Sequence, residues 1–370
     1  MRLPDTLHIF LTQECNLSCS YCFVNKKCTG KETADTQKLK KSIQWFLKLK
    51  TGNYKRISLG GGEPLLKFNK VRDLSGFIKK KSAESEQDTL VLVVSNATLL
   101  NKNKLNFFIQ NNISLKISLD GEKKSHDLSR QFQNQSLGST YDTILKNIKS
   151  SPSTFKLGIS LVFTPKTVGY LYKNIEFLHK MGFSPIDFYP DFFTNWSAGD
   201  IRLMDKIFKK VKNYFLKFLK DGFRGKAENI LQVSFLNNLL NGRDLDKPVS
   251  CNKVNLDPEG NFYCCDKIFA LPKNSRSSYL VGDSDNGLDN SRRLRLLNAI
   301  RKRISNITDN ACKGCEYAKY CFCQVGHYIY FTENDLDFKD YFPKFCRISK
   351  IYIKNFLEIK QSIYNSVINK

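Results

Sequence analysis

Along the first half of the chain, apolar residues fall into two alternating rhythms. Short β-branched or apolar runs occur at "LHIFLT" (7–12), "RISL" (56–59), "TLVLVVS" (89–95), "SLKISL" (114–119), "KLGISLVF" (156–163) and "PIDFYP" (185–190), and their length and composition predict strands. Stretches with helical spacing lie between them. In "TQKLKKSIQWFLKLK" (36–50), Leu39, Ile43, Phe46 and Leu47 share one face. The segments "NKNKLNFFIQNN" (101–112) and "TYDTILKNIKS" (140–150) behave similarly, with Gly and Asn at element ends as stop signals. Six strand–helix repeats predict an α/β fold, a parallel sheet with helices outside, curled as a barrel or an incomplete one. Chemistry on such folds collects at the C-terminal ends of the strands.

Residues 200–245 break the rhythm and read as helices, in "DIRLMDKIFKKVKNYFLKFLKDG" and "ENILQVSFLNNLLNG". The segment 251–346 then combines dense cysteine with weak periodicity. A tail with so little expected regular structure needs an internal staple, which metal would provide. No repeat and no long low-complexity linker is visible.

Composition changes this picture little, but charge and cysteine change it more. The 370 residues are 41% hydrophobic and 25% charged, as in a soluble globular protein of about two domains. The longest apolar runs, such as "LVLVV" (90–94), are far short of a membrane span, and no cleavage site follows "LHIFL" (7–11). A cytoplasmic protein with no membrane contact is expected, and twelve cysteines in a reducing compartment read as metal ligands rather than disulfides. The net charge of +24 raises nucleic-acid binding as a function. However, the excess lysine is dispersed among Asn, Ile, Phe and Tyr, so a nucleic-acid partner is not expected; attraction to an acidic peptide is another use of the same field.

The sharpest signal is "CNLSCSYC" (15–22), directly after the first strand. Zinc usually closes with four N/S ligands, commonly in paired C-x-x-C knuckles. Three cysteines at spacings of four and three, Cys15, Cys19 and Cys22, fit an iron–sulfur cluster with one open iron better. His8, within the strand, and Cys28, six residues past Cys22, remain open as fourth ligands.

This triplet, with the aromatic Tyr21 before its third cysteine, resembles the signature of the radical SAM superfamily. The resemblance implies a partial (β/α)6 barrel and a [4Fe-4S] cluster whose open iron is filled by S-adenosylmethionine. It extends to the ends of the next strands. Gly61, Gly62 and Glu63 of "GGGEP" (60–64) match the family segment that contacts the methionine amino group. Asn96 of "SNATLL" (95–100) matches a ribose-contacting position, although Ala97 stands where the family usually has glycine. Ser118 of "ISLDG" (117–121) and Arg130 of "HDLSR" (126–130) match residues that hold the cosubstrate in sulfatase-maturing relatives, and the arginine fork suits a carboxylate.

The tail, with "CNKVNLDPEGNFYCCDK" (251–267), "CKGCEYAKYCFC" (312–323) and Cys346, resembles the SPASM auxiliary-cluster extension. By that resemblance Cys312, Cys315, Cys321 and Cys346 hold one auxiliary [4Fe-4S] cluster, and Cys251, Cys265 and Cys323 hold another. Two departures stand out: only Phe322 separates Cys321 from Cys323, and the second set lacks a fourth cysteine, so Cys264, His327 or an open iron completes it. Zinc is the rival metal for these cysteines. Asp266 stands where those relatives carry an aspartate proposed as the base; a turn-capping role is the structural alternative.

The expected organisation is a core over 1–195, a helical bridge over 196–247 and an iron–sulfur domain over 248–370. The implied activity is reductive cleavage of S-adenosylmethionine and oxidation or crosslinking of a peptide or protein side chain, as in maturation of ribosomally made peptides, with auxiliary clusters taking the electron. A flavodoxin- or ferredoxin-like donor would supply electrons. The chain starts at its first barrel strand, so no leader-binding domain is expected before it, and a separate leader-peptide-binding protein is a candidate partner. RNA or a small metabolite as substrate, and a zinc-stabilised binding module without catalysis, are the competing readings.

Overall fold

The computed structural model describes residues 3–24, 34–51, 54–149, 157–223, 233–240, 252–308, 310–322 and 324–368. Six parallel strands, β1 (Thr6–Thr12), β2 (Tyr54–Gly61), β3 (Asp88–Ser95), β4 (Ser114–Ser118), β5 (Gly158–Phe163) and β6 (Ile186–Pro190), lie side by side in chain order. Each matches an apolar run of the sequence to within two residues. Their inward rows, such as Leu7, Ile9 and Leu11 of β1, are fully enclosed. The sheet does not close on itself, because the free edge of β1 is taken by a later strand rather than by β6.

Helices α1 (Thr36–Lys48), α2 (Phe68–Glu84), α3 (Lys102–Gln110), α4 (Lys123–Asp127), α5 (Thr140–Ile148) and α6 (Leu171–Lys180) connect these strands. Local chemistry sets their starts. The Asp35 carboxylate accepts from the N–H groups of Gln37 and Lys38, and Asn101 and Ser139 cap α3 and α5 in the same way. The apolar face expected for α1 is the buried one, with Leu39, Ile43, Phe46 and Leu47 all enclosed.

Helices α7 (Ala198–Phe223) and α8 (Ser234–Leu240) follow, as expected for 200–245. The tail is far more regular than its sequence suggested. Strand β7 (Lys253–Leu256) runs parallel to β1, and β8 (Phe262–Tyr263), β9 (Leu280–Asp283) and β10 (Gly287–Leu288) extend the sheet antiparallel to ten strands. Strands of two to four residues are too short for periodicity to register. Helices α9 (Asn290–Ile307), α10 (Gln324–Thr332) and α11 (Phe338–Ile368) complete the chain. Helix α11 packs on α7 and α8, and its Tyr352 hydroxyl donates to Phe188 O of β6 at 3.0 Å. Among the described residues no helix is long and apolar enough to cross a membrane.

One charge lies at the other end of the sheet. Lys55 in β2 is fully buried and donates to Phe46 O (2.7 Å) and Leu47 O (2.5 Å), carbonyls of the last turn of α1. Burial lowers its pKa to about 8, below the ~10.4 of a free lysine. Between those values the unfolded chain binds more protons than the folded one, so the cost of this charge is full below pH 8 and fades towards about pH 10.4. Stability relative to the Lys55→Met protein should therefore shift in favour of the wild type by up to about 3 kcal/mol on going from pH 7.5 to 10.5. Urea unfolding at the two pH values measures it; an unchanged gap would show that burial does not strain the ammonium.

Candidate functional site

The chain leaves β1 through Thr12, Gln13 and Glu14 into Cys15, and two neighbours fix that turn. The glycine loop after β2 lies directly against it. Gly62 N–H donates to Thr12 O (2.7 Å) and Glu63 N–H to Glu14 O (2.8 Å). A Cβ on Gly61 would fall 2.4 Å from Thr12 O, and one on Gly62 2.0 Å from Glu14 O. Gly61 also has φ +112°, so glycine is required for the approach. On its other side the cysteine loop pairs with 129–133, through Ser18 N–H to Gln131 O (2.7 Å), Ser20 N–H to Ser129 O (2.9 Å) and Gln133 N–H to Asn16 O (3.0 Å).

Cys15 is half-buried, Cys19 buried and Cys22 exposed. Leu17 N–H (3.4 Å) and Asn96 Nδ2 (3.7 Å) both point at Cys15 Sγ. Burial pushes the Cys15 thiol up to about 12, with the Leu17 N–H opposing it only in part. A thiolate at this place is favoured by positive charge beside it, which a metal would supply. Three thiols on one loop with N–H groups directed at sulfur fit an iron–sulfur cluster.

Glu63 and Asn96 bind this loop to the next two strands. The Glu63 carboxylate is fully enclosed and accepts from Leu65 N (2.9 Å), Ser95 Oγ (2.8 Å) and Asn96 N (2.7 Å). Burial raises its pKa, and these hydrogen bonds oppose the rise. Its role in the structure is a clasp between the β2 and β3 loops. The Asn96 side chain donates to Asn16 Oδ1 (2.9 Å) and accepts from Thr98 N (3.0 Å) and Oγ1 (2.7 Å). Ala97 holds the left-handed conformation, φ +59°, that the glycine of the family segment would adopt freely.

Asp120, two residues past the end of β4, is the second organiser of the site. Its Oδ2 accepts from the Tyr21 hydroxyl (2.5 Å) and Arg130 Nε (3.0 Å), and its Oδ1 accepts from Arg130 Nη2 (3.2 Å) and Val162 N (2.9 Å). The Arg130 guanidinium also lies over the Tyr21 ring, 5.1 Å from its centroid. Burial opposes the Arg130 charge, but Asp120 raises its pKa further. The guanidinium edge offered by Nε and Nη2 is thus already engaged. Ser118, half-buried, is the last residue of β4. The sequence reading named Ser118, Tyr21 and Arg130 but gave Asp120 no role; an Asp just past a strand end was the available signal.

The tail folds over the same mouth. Phe269 stacks on Phe10 at 3.7 Å, and Arg276 reaches Gln13 Oε1 at 3.2 Å. This brings Asp266 near His8. Burial alone would raise the Asp266 carboxyl, but Lys267 (3.3 Å) and Lys253 outweigh it and hold it at about 2. His8 stays on its strand; a Cβ on Gly60 would fall 2.7 Å from His8 Nε2. Lys267 Nζ lies over the ring of Phe23, the neighbour of Cys22, 3.6 Å from its centroid.

Cys265 Sγ accepts from Lys267 N (3.5 Å) and faces Gly326, where an added Cβ would fall 3.0 Å from it. Cys264 is fully enclosed in the core, while His327 stacks on Phe193 (5.2 Å). Cys28, Cys251 and Cys323 lie outside the described residues. Cys312, Cys315, Cys321 and Cys346 line one cavity of about 370 Å³. Gln324 Nε2 donates to Cys312 Sγ at 3.3 Å, and burial pushes the Cys321 thiol up to about 11. Among the described residues no three Cys, His, Asp or Glu side chains close round a single ion.

The sequence model of the Radical SAM superfamily matches residues 9–189. An uncharacterized protein of Methanocaldococcus jannaschii is 30% identical over 49% of this chain and 61% of its own length. The chain thus spans about three fifths of that relative. A cysteine-type anaerobic sulfatase-maturating enzyme of Clostridium novyi is 25% identical over 85% of each chain. The solved structure of native anSMEcpe with bound AdoMet and Cp18Cys peptide is similar in fold, with a TM-score of 0.69 and 16% identity over 97% of this chain and 99% of that one.

The Asp120 hub makes a direct prediction. Removing one partner of a buried ion pair typically costs about 3–5 kcal/mol, so Asp120→Ala should lose that much, whereas Tyr21→Phe, one hydrogen bond, should lose about 1 kcal/mol. Urea unfolding midpoints test it; a loss under 1 kcal/mol for Asp120→Ala would show that Arg130 is held by other groups.

Proposed function

Because residues 9–189 make the chain a member of the radical SAM superfamily, we propose that it is an S-adenosylmethionine-dependent enzyme that oxidises or crosslinks a side chain of a peptide or protein. The observation that carries this reading is the cysteine loop, with three thiols after β1 held between the glycine loop and residues 129–133, and two N–H groups directed at Cys15 Sγ. Cys15, Cys19 and Cys22 would hold the cluster. When bound, a [4Fe-4S] cluster there supplies the electron that splits S-adenosylmethionine into methionine and a 5′-deoxyadenosyl radical.

The chain's own residues hold and orient. Tyr21, Gly61, Gly62, Glu63, Asn96, Ser118 and Arg130 lie at the C-terminal strand ends of the sheet or in the segments that follow them, where the cosubstrate would sit. Gly61 and Gly62 keep backbone free of side-chain bulk, and Asn96 and Glu63 fix the loops about Cys15. Arg130 gives its Nε and Nη2 to Asp120, so a cosubstrate carboxylate would meet it at Nη1. Asp266 would act as the base for the substrate. Lys267 holds its carboxyl well below the usual range, so that role requires the lysine to leave it when substrate enters.

Cys312, Cys315, Cys321 and Cys346 would hold one auxiliary cluster, a reading supported by the cavity they share. Cys265, with Cys251 and Cys323, would hold the other. A peptide substrate is supported by the resemblance to a sulfatase-maturating enzyme and by the fold shared with a peptide-bound structure. A flavodoxin- or ferredoxin-like donor, a separate leader-binding protein and the division at 195 and 247 belong to the same proposal.

Protein reconstituted without oxygen should release 5′-deoxyadenosine from S-adenosylmethionine with a strong reductant. The Cys15→Ala/Cys19→Ala/Cys22→Ala protein should release none. Equal release by both would sink the reading. Separately, Cys312→Ala/Cys315→Ala should lower iron content by about four per chain while 5′-deoxyadenosine formation persists; unchanged iron would remove the auxiliary cluster from that cavity.

A further inference from the structure

Asp191 is the first residue after β6, at the same mouth, and has no part in the proposal above. It is 7% exposed. Its Oδ1 accepts from Phe193 N at 3.0 Å. Among the described residues Oδ2 has no hydrogen-bond donor and Asp191 has no ion pair. The Tyr341 hydroxyl of α11 is enclosed and unpartnered among the described residues, and Asp191 is the charge that acts on it and on the Tyr330 phenol.

Aromatic rings gather about Phe193, whose N–H donates to Asp191. Phe193 lies 4.2 Å from Tyr330 and 5.2 Å from His327, and Phe331 stacks on Tyr341 at 3.8 Å. A buried carboxylate is costly without a cation beside it, and ring faces attract cations. The nearest cation, Lys267, is committed to Asp266 at 3.3 Å. Its ammonium already lies over Phe23 (3.6 Å) and, less closely, Phe193 (5.7 Å), so these rings accept a cation here. Phe23 follows Cys22 in the chain and lies 6.5 Å from Phe193, which puts the cage beside the cysteine loop.

We propose that Asp191, the Tyr341 hydroxyl and the rings of Phe193 and Tyr330 form a receptor for a cationic side chain of the substrate, a primary ammonium or a guanidinium. It rests on the peptide reading and narrows it: the modified segment carries a Lys or Arg that enters this cage and places the neighbouring residue by the cysteine loop. The carboxylate supplies the charge, the rings supply the faces and Tyr341 accepts a donor from the incoming group. Burial raises Asp191 to about 6, so an entering cation would hold it ionised, with Lys267, His327, Tyr330 and Tyr341 the other titratable groups around it.

The test is calorimetric titration of the reconstituted full chain, with S-adenosylmethionine present. The probes are the blocked pentapeptide Ala-Ala-Lys-Ala-Ala and its norleucine counterpart. The lysine peptide should bind about 10-fold tighter. Asp191→Asn keeps the size and the acceptor for Phe193 N–H, and should cut that preference below about 2-fold. Tyr330→Leu, which removes a ring face and tests the cage without touching the carboxylate, should reduce it several-fold. Equal affinity for the two peptides, no binding of either, or an undiminished preference in both variants would overturn the receptor and leave Asp191 and Tyr341 to a bridging water. Formation of 5′-deoxyadenosine, measured on the same samples, separates the two readings. Its presence without a lysine preference removes only the cage, and a lysine preference without it removes the radical chemistry and keeps the cage.

Discussion

The site depends on how closely the backbone after β2 can approach the backbone after β1. Gly62 lies so near Glu14 that any side chain there would overlap the carbonyl oxygen, and the turn that aims Cys15 exists only because that space is left empty. The approach is then locked by charge. Glu63, next in sequence, turns its buried carboxylate to three donors from its own turn and the β3 loop. Asn96, fixed by that carboxylate through its N–H, turns its amide to Asn16 and to the Cys15 sulfur. Strand order, glycine, carboxylate and amide thus form one chain of cause that ends at a thiol.

A second carboxylate does the same work from the opposite side. Asp120 joins the cysteine loop through Tyr21, the 126–130 segment through Arg130, and β5 through Val162 N. Buried ion pairs seldom add much net stability, because desolvation offsets the Coulombic gain. What this one provides is position. With all four acceptor directions used, Arg130 cannot turn away without leaving a charge unpaired, and Tyr21 cannot without giving up its hydrogen bond.

The parts legible in sequence are those set by short-range spacing. The six strands, the buried face of α1 and the cysteine triplet at a strand end each follow from residues within a dozen positions of one another. The four tail cysteines span 34 positions from Cys312 to Cys346, and were grouped only through resemblance, yet they do share one cavity. Partnerships made by the fold were not legible. Tyr21 and Asp120 are 99 residues apart, and nothing in either segment announces the other. Glu63 falls in the segment matched to a methionine amino group, and nothing in that segment announces that its carboxylate accepts from Ser95 and Asn96. The short strands β8 and β10 have two residues each, too few to carry a pattern.

Helix α10 joins the regions that the sequence treats separately. Gln324, at its first turn, donates to Cys312 in the four-cysteine cavity. Gly326, two residues on, leaves room for Cys265 Sγ beside Asp266. His327 and Tyr330 then form one wall of the aromatic cage at Asp191. From Gln324 to Tyr330 the helix rises only about 9 Å, and it is a rigid spacer over that length. The groups proposed to grip the substrate and those proposed to take its electron are held in one register by a single helix of nine residues.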